Sequence, residues 1–272
     1  MDSDLSAPKL ELSPLEFRFS LDNEKFIERK FTVKNVGSSV LELKLYLESP
    51  AFLNNSYTEL KDWITFSYNN NEELKSLELS LEPNEKIEIP FKLSIPESFS
   101  AGGKYAFIYA EVISDSSEEK GIKLSSRAGI KLFASSSKEL IHGVKIEPLK
   151  TNFFELDKIS VSSKIENTGN IDLTAISSFS VSSLFGRTLY SNSSTLEIYP
   201  ESKKELYEPW SETPPIGLYR VSYSIKTLDT ELNLDRLVLV SSPFFTILSI
   251  MFLLLTFFLG LKLHQNHQQK TL

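Results

Sequence analysis

Catalysis needs convergent polar groups, and this chain is short of the most versatile ones. Cysteine is absent, and histidine occurs three times, as His142, His264 and His267. Thiol catalysis, thiolate zinc sites and iron–sulfur clusters are therefore excluded. A serine triad would have to use His142, and no Gly-x-Ser-x-Gly elbow is present. His264 and His267 stand at i, i+3, a spacing that suits a metal on a helix, but they read more simply as a polar stub. Glu72-Glu73, Asp115 and Glu118-Glu119 fall in loop-like segments and read as solvated surface, which leaves a glycosidase-type carboxylate pair as the minor alternative. Asp157, Asp229 and Asp235 flank strand patterns where calcium ligands can sit, yet no Asp-x-Asp-x-Asp-Gly loop accompanies them. Gly102-Gly103 precedes a strand pattern, so it does not make a phosphate cradle at a helix start. The expectation is a non-enzyme with no cofactor and no metal site.

Recognition is the remaining chemistry, and aromatic side chains are its candidates. Phe52, Tyr57 and Trp63 belong to one stretch rich in turn residues, and Trp210 ends a later strand pattern. An aromatic-bearing loop at the end of a β-sandwich can stack on sugars or contact a protein. Each tryptophan is more often a core or inter-domain residue of such a fold than a ligand platform.

These residues must be positioned by strands. Period-two alternation dominates: residues 40–47, VLELKLYL, place Leu41, Leu43, Leu45 and Leu47 on one face and Glu42 and Lys44 on the other. Residues 26–34, 77–81, 87–95 and 104–113 read the same way, and 121–133 reads as the last strand of a first unit. The pattern restarts at 143–149, 158–166, 171–184, 195–199, 203–210 and 217–228. Pro214-Pro215-Ile216-Gly217 marks a turn. Short strands at about ten-residue spacing, with no convincing amphipathic helix before residue 236, indicate sandwiches. The two halves share a logic: VKNVGSS (33–39) parallels IENTGNI (165–171), and GGKYAFIYAEV (102–112) parallels GLYRVSYSI (217–225). Asn at these turns is expected to tolerate left-handed backbone and bond its own main chain, and Gly to supply positive φ.

The end of the chain is different. Residues 237–261, LVLVSSPFFTILSIMFLLLTFFLGL, carry no formal charge and show no polar face. As a helix they would reach roughly 37 Å, against a hydrocarbon core of about 30 Å. Removing Lys262 and Lys270 from the 29 basic residues leaves 27 against 36 acidic, a net of −9 for the rest, which argues against a nucleic-acid partner. The start, MDSDLSAPKL, has neither the basic region nor the apolar run of a signal peptide. Two explanations stand: a removed signal, or a tail anchor with the bulk of the chain in the cytoplasm. Lys262 and Lys270 slightly favour a tail on the inside.

The early strand with VKNVGSS, then DWITF at 62–66, then LEPNEKIEIPFKLSIPESFSAGGKYAFIYAEV at 81–112, resembles the N-terminal domain of the bacterial WxL-interacting proteins. IENTGNIDLTAISSFSVSSLFGR at 165–187 resembles the sandwich domain that follows in related membrane-anchored surface proteins. The chain has no WxL motif of its own, since its tryptophans stand in Trp63-Ile64-Thr65 and Trp210-Ser211-Glu212. The resemblance implies an outward-facing, non-enzymatic surface protein whose first domain associates with peptidoglycan and whose second meets partner proteins.

The expected architecture is all-β: a flexible start (1–9), a first immunoglobulin-like sandwich (10–134), a Ser-rich linker (135–139), a second sandwich (140–235), a transmembrane helix (237–261) and a short tail (262–272). The expected partners are the lipid bilayer through residues 237–261 and a cell-wall polymer or surface protein. The expected location is the plasma membrane, single-pass, with the bulk of the chain outside. The alternative is a tail-anchored adaptor that recruits proteins to the cytoplasmic side of a membrane.

Overall fold

The structure is a computed structural model that describes residues 10–22, 24–69, 71–113, 126–156, 158–210, 216–228 and 230–270, without the side chains of 71, 72 and 262–270. Asp115, Glu118, Glu119, Asp157, Asp229 and Pro214-Pro215 lie outside the described residues, as do the side chains of Glu72, His264 and His267.

In chain order the first half forms β1 (Leu10–Ser13), β2 (Glu16–Ser20), β3 (Phe26–Asn35), β4 (Leu41–Glu48), two single-turn helices α1 (Asn55–Thr58) and α2 (Leu60–Trp63), β5 (Ile64–Tyr68), β6 (Asn71–Leu74), β7 (Ser76–Leu81), β8 (Lys86–Ser94), β9 (Lys104–Val112) and β10 (Arg127–Ser135). The second half forms β11 (Val144–Ile146), β12 (Phe154–Glu155), β13 (Ile159–Asn167), β14 (Leu173–Ser183), β15 (Thr188–Ile198), β16 (Lys203–Trp210), β17 (Ile216–Lys226), β18 (Glu231–Ser241) and the helix α3 (Pro243–Lys270).

The chain divides into two compact units: one runs to Gly143 and takes in Gly169–Asp172 and Tyr199–Glu201, the other holds Val144–Thr168, Leu173–Ile198 and the chain from Ser202 onward. In the first unit the sheets are ordered β1-β3-β8-β5-β6 and β2-β10-β9-β4-β7. In the second they are β11-β13-β16 and β12-β18-β17-β14-β15. The second sheets correspond strand for strand, and β11-β13-β16 corresponds to β1-β3-β8, while β5 and β6 belong to the first unit alone. Each unit pairs its first strand with the third of the plan on one sheet, and lays a short second strand parallel to its last strand on the other. This is immunoglobulin-like sandwich topology, used twice. The paired sequence segments occupy equivalent strands: VKN and IEN end β3 and β13, and the two Gly-x-Tyr segments open β9 and β17.

Alternation builds the cores. Leu41, Leu43 and Leu45 point inward from β4, Leu77, Leu79 and Leu81 from β7, and Ile89, Phe91 and Leu93 from β8. Phe31 meets Phe66 and Phe91 with ring centroids 6.3 and 6.1 Å apart. Each such side chain contributes about 1.5–3 kcal/mol by leaving water. The second core centres on Ile159, Val161, Phe179, Val221, Tyr223, Val238 and Val240.

Two boundaries and two short helices differ from expectation. Ser135 completes β10, and the following Ser136 is buried, its hydroxyl donating to Asp22 Oδ1 at 2.6 Å, so the Ser-rich segment is held against the first unit. Leu237–Ser241 belongs to β18, paired with Ile216–Arg220 of β17, and α3 starts at Pro243. The alternation LVLV there serves a strand, since Val238 and Val240 enter the core; lack of charge had merged it with the helix. The single-turn helices α1 and α2 have no sequence signature at their length.

Candidate binding surfaces

Trp210 is part of the second core. It stacks with Tyr190 at 6.1 Å and meets the edge of Tyr219 at 5.7 Å, with 6% exposure. Tyr57 is also buried, clustered with Tyr105 and Phe133, and burial pushes its hydroxyl pKa up. Trp63, at the end of α2, is half-buried, packs on the first core and lies 5.6 Å from Phe99. Phe52 is 66% exposed. Of the four aromatic candidates, Phe52 presents most of its surface to solvent, while Tyr57 and Trp210 are fold residues. Short turns fold the 49–63 stretch back onto its own sheet, which turns Tyr57 inward: Leu53 N–H donates to Pro50 O, Tyr57 N–H to Asn54 O and Asp62 N–H to Glu59 O.

Among the polar candidates, His142 is exposed between β10 and β11, and Asp235 accepts a hydrogen bond from Ser222 directly across the β17–β18 ladder. Among the described residues, no group of three or more His, Asp or Glu side chains is placed to hold a metal. The first sandwich also buries a cation, Lys104. Lys104 opens β9 fully buried, its Nζ donating to Ser100 O at 2.8 Å and Ser100 Oγ at 2.9 Å, and desolvation lowers its pKa. These partners satisfy the ammonium locally, so Lys104 holds the turn that precedes β9. Nothing in the alternating pattern distinguished it from an exposed strand lysine.

Sheet edges offer backbone rather than side chains. Most edge strands here are short: β1 and β6 have four residues, β2 five, β7 six, β11 three and β12 two. The edge strand β16 has eight, but carries Lys203, Lys204 and Pro209, which discourage pairing. The edge strand β15 has eleven, TLYSNSSTLEI, with no proline and one charge, Glu197. Tyr190, Leu196 and Ile198 lean toward the core, while Ser191, Asn192, Ser193 and Thr195 are exposed. On the inner side β15 pairs with β14 from Thr188 to Ile198, with one register shift that skips Leu189. On the outer side, Asn192 Nδ2 reaches Glu208 Oε2 of β16 at 3.1 Å, and no ladder is formed. A long edge with a single charge and no ladder on its outer side is the feature that strand addition uses.

The helix α3 provides the other surface. Pro243–Leu261 has mean hydropathy 2.5 and is long and apolar enough to cross a membrane, the one such helix among the described residues. Its side chains are exposed on every face, including Phe244, Leu253 and Phe258, so it is not a buried core helix.

No family model matches the chain, and no curated protein matches it. Solved structures do. The Pseudomonas aeruginosa CupB2 chaperone is 13% identical, with 84% of this chain and 100% of that chain covered and a TM-score of 0.42. The E. coli chaperone DraB is 12% identical, with 84% and 98% covered and a TM-score of 0.42. The Salmonella enterica SafA pilin in complex with the SafB chaperone gives 10% identity, 84% and 97% coverage and a TM-score of 0.42. None of these likenesses assigns a function to this chain, whose fold rests on its own two-sheet topology, twice repeated, with one apolar C-terminal helix.

Proposed function

We propose that this chain is a single-pass membrane-anchored, non-catalytic binding protein that displays two immunoglobulin-like sandwiches on the cell surface and takes a protein partner by strand addition to β15. The observation that carries the reading is the β15 edge: an eleven-residue strand at the end of its sheet, with no strand laddered on its outer side among the described residues, uninterrupted by proline and with one charge. The apolar helix supplies the tether. The resemblance of residues 33–39, 62–66 and 81–112 to the WxL-interacting proteins, and of 165–187 to the sandwich domain of related membrane-anchored surface proteins, supports the outward placement and suggests that the first sandwich meets a cell-wall polymer. The lack of cysteine and the scarcity of histidine support a role without catalysis.

Amide hydrogen exchange on the full-length chain in lipid nanodiscs tests the binding mode. Exchange is followed with added surface-protein extract, with purified peptidoglycan, and with neither. Partner addition should slow alternate amides of β15, those facing away from β14. Protection confined to other segments, or none at all, would remove β15 as the docking edge.

A further inference from the structure

The strand-to-helix junction has almost no length. The strand β18 ends at Ser241 and α3 begins at Pro243, leaving Ser242 alone between them. Pro243 takes the first helical position, where a missing N–H costs nothing. Ser242 Oγ accepts the Phe245 N–H at 3.5 Å, and Thr246 Oγ1 donates to Ser242 O at 3.0 Å and lies 3.0 Å from Ser241 Oγ. The 19 residues Pro243–Leu261 reach about 28 Å, close to the hydrocarbon thickness of about 30 Å. The whole segment is therefore needed to span, and its first residue must stand at the hydrocarbon boundary. Groups level with Ser241 then lie in the polar layer, some 5–8 Å deep.

The register says which groups those are. Ile216 pairs with Ser241, and Leu156 continues β12, whose Glu155 is level with Val240. Ser183, Tyr219 and Val238 share one row, and beyond it the β14–β15 hairpin turns through Leu184, Phe185, Gly186 and Arg187. Phe185 is 99% exposed, and Phe153, Phe154, Leu156, Leu184 and Ile216 are exposed as well. Toward the other end of the same unit the exposed large aliphatics are Ile176 and Leu228. Turn chemistry does not ask for Leu and Phe at this tip. The Gly186 N–H donates to Ser183 O at 3.0 Å, and only Gly186, at φ +82°, needs a special residue. The central positions ordinarily carry Asn, Asp, Ser or Pro. With strands about 4.8 Å apart, β12 lies one spacing to one side of β18 and the hairpin two to three spacings to the other. Apolar side chains thus flank the helix exit on both sides.

We propose that this end of the second sandwich is a lipid-contact collar. Leu184 and Phe185 on one side of α3, with Phe153, Phe154 and Leu156 on the other, enter the interfacial layer, and Arg187 stands at headgroup level. The collar rests on the membrane-anchored reading above and adds to it: the sandwich leans on the bilayer at two points besides the helix. Interfacial burial of apolar side chains to about 5–10 Å is the familiar mode of surface-lying segments.

The absence of cysteine allows single-site spin labels in the full-length chain. Cysteine is placed singly at Phe154, Phe185, Arg187, Thr195 and Leu253, and each protein is reconstituted in phosphatidylcholine–phosphatidylglycerol vesicles. Power saturation with oxygen and with a water-soluble nickel chelate then reads depth. The expected result puts 253 in hydrocarbon, 154, 185 and 187 at interfacial depth, and 195 in water. In a Leu184→Ser, Phe185→Ser background, the label at 187 should shift toward water. Labels at 154, 185 and 187 as nickel-accessible as 195, with 253 still in hydrocarbon, would overturn the collar and leave the anchor standing. A nickel-accessible 253 would overturn both.

Discussion

Asn35 and Asn167 hold equivalent places at the ends of β3 and β13, and both are 1% exposed. Asn35 Nδ2 donates to Ser39 O at 2.8 Å and Leu81 O at 3.0 Å, while its Oδ1 accepts the Gly37 N–H at 2.9 Å. Asn167 Nδ2 donates to Ile198 O at 2.9 Å. The sequence marked both as turn residues, and the self-bonding half of that reading holds for Asn35. Neither Asn has positive φ, however; each staples the turn to the end of another strand. That long-range role depends on chain separations of 46 and 31 residues, which no local pattern encodes. Asn35→Ala strands buried carbonyls and should lower unfolding stability by about 2–3 kcal/mol, read by urea titration. The Gly-x-Tyr segments also gain a reason. A Cβ on Gly103 would stand 2.1 Å from the Tyr105 hydroxyl, and one on Gly217 2.4 Å from that of Tyr219, so each glycine makes room for the tyrosine two residues on. Gly103→Ala should cost about 1–3 kcal/mol by forcing the buried Tyr105 ring aside. Burial pushes the Tyr105 hydroxyl far above the usual 10. An unfolded tyrosine ionises near 10 while the folded one keeps its proton, so above that pH the unfolded state binds fewer protons and stability falls as pH rises. Tyr105→Phe should therefore show a shallower loss of urea midpoint between about pH 9 and 11 than the parent chain. An unchanged alkaline slope would refute the assignment.

At the scale of elements, strands were legible wherever one face is buried and the other wet. In β4, β7, β8 and β13 the alternation was plain, and the tertiary structure follows it. It failed where composition outweighed period. Leu237–Ser241 is uncharged, so it read as membrane span, yet Val238 and Val240 are 0% and 1% exposed in the second core. The open edge of β15 was not legible either, because an edge is defined by which strands do not come alongside. The boundary has a practical test: a chain stopped after Arg236 loses half of β18, whereas one stopped after Ser242 keeps it. We expect the longer form to melt cooperatively without detergent and the shorter to aggregate, as followed by circular dichroism and light scattering. Equal behaviour would show that Leu237–Ser241 is dispensable to the sandwich. In α3, Leu253→Arg places a charge mid-span at about 2.5–3.5 kcal/mol on insertion scales. It should release part of the protein from membranes washed at alkaline pH.

At the scale of the whole molecule, two sandwiches of one topology and an apolar helix are assigned three jobs: two binding modules and a tether. The apolar helix was the clearest feature of the sequence; it starts one strand end later than expected and runs on to Lys270, through the segment expected as a short tail. The most direct measurement of the central claim is labelling by a membrane-impermeant maleimide in intact producing cells, with single cysteines at Thr195 in β15 and at Lys270 beyond the span. The expected result is labelling at 195 in intact cells and at 270 only after permeabilisation. Labelling of neither site until the cells are opened, or of 270 alone in intact cells, would contradict an outward-facing sandwich pair held by α3.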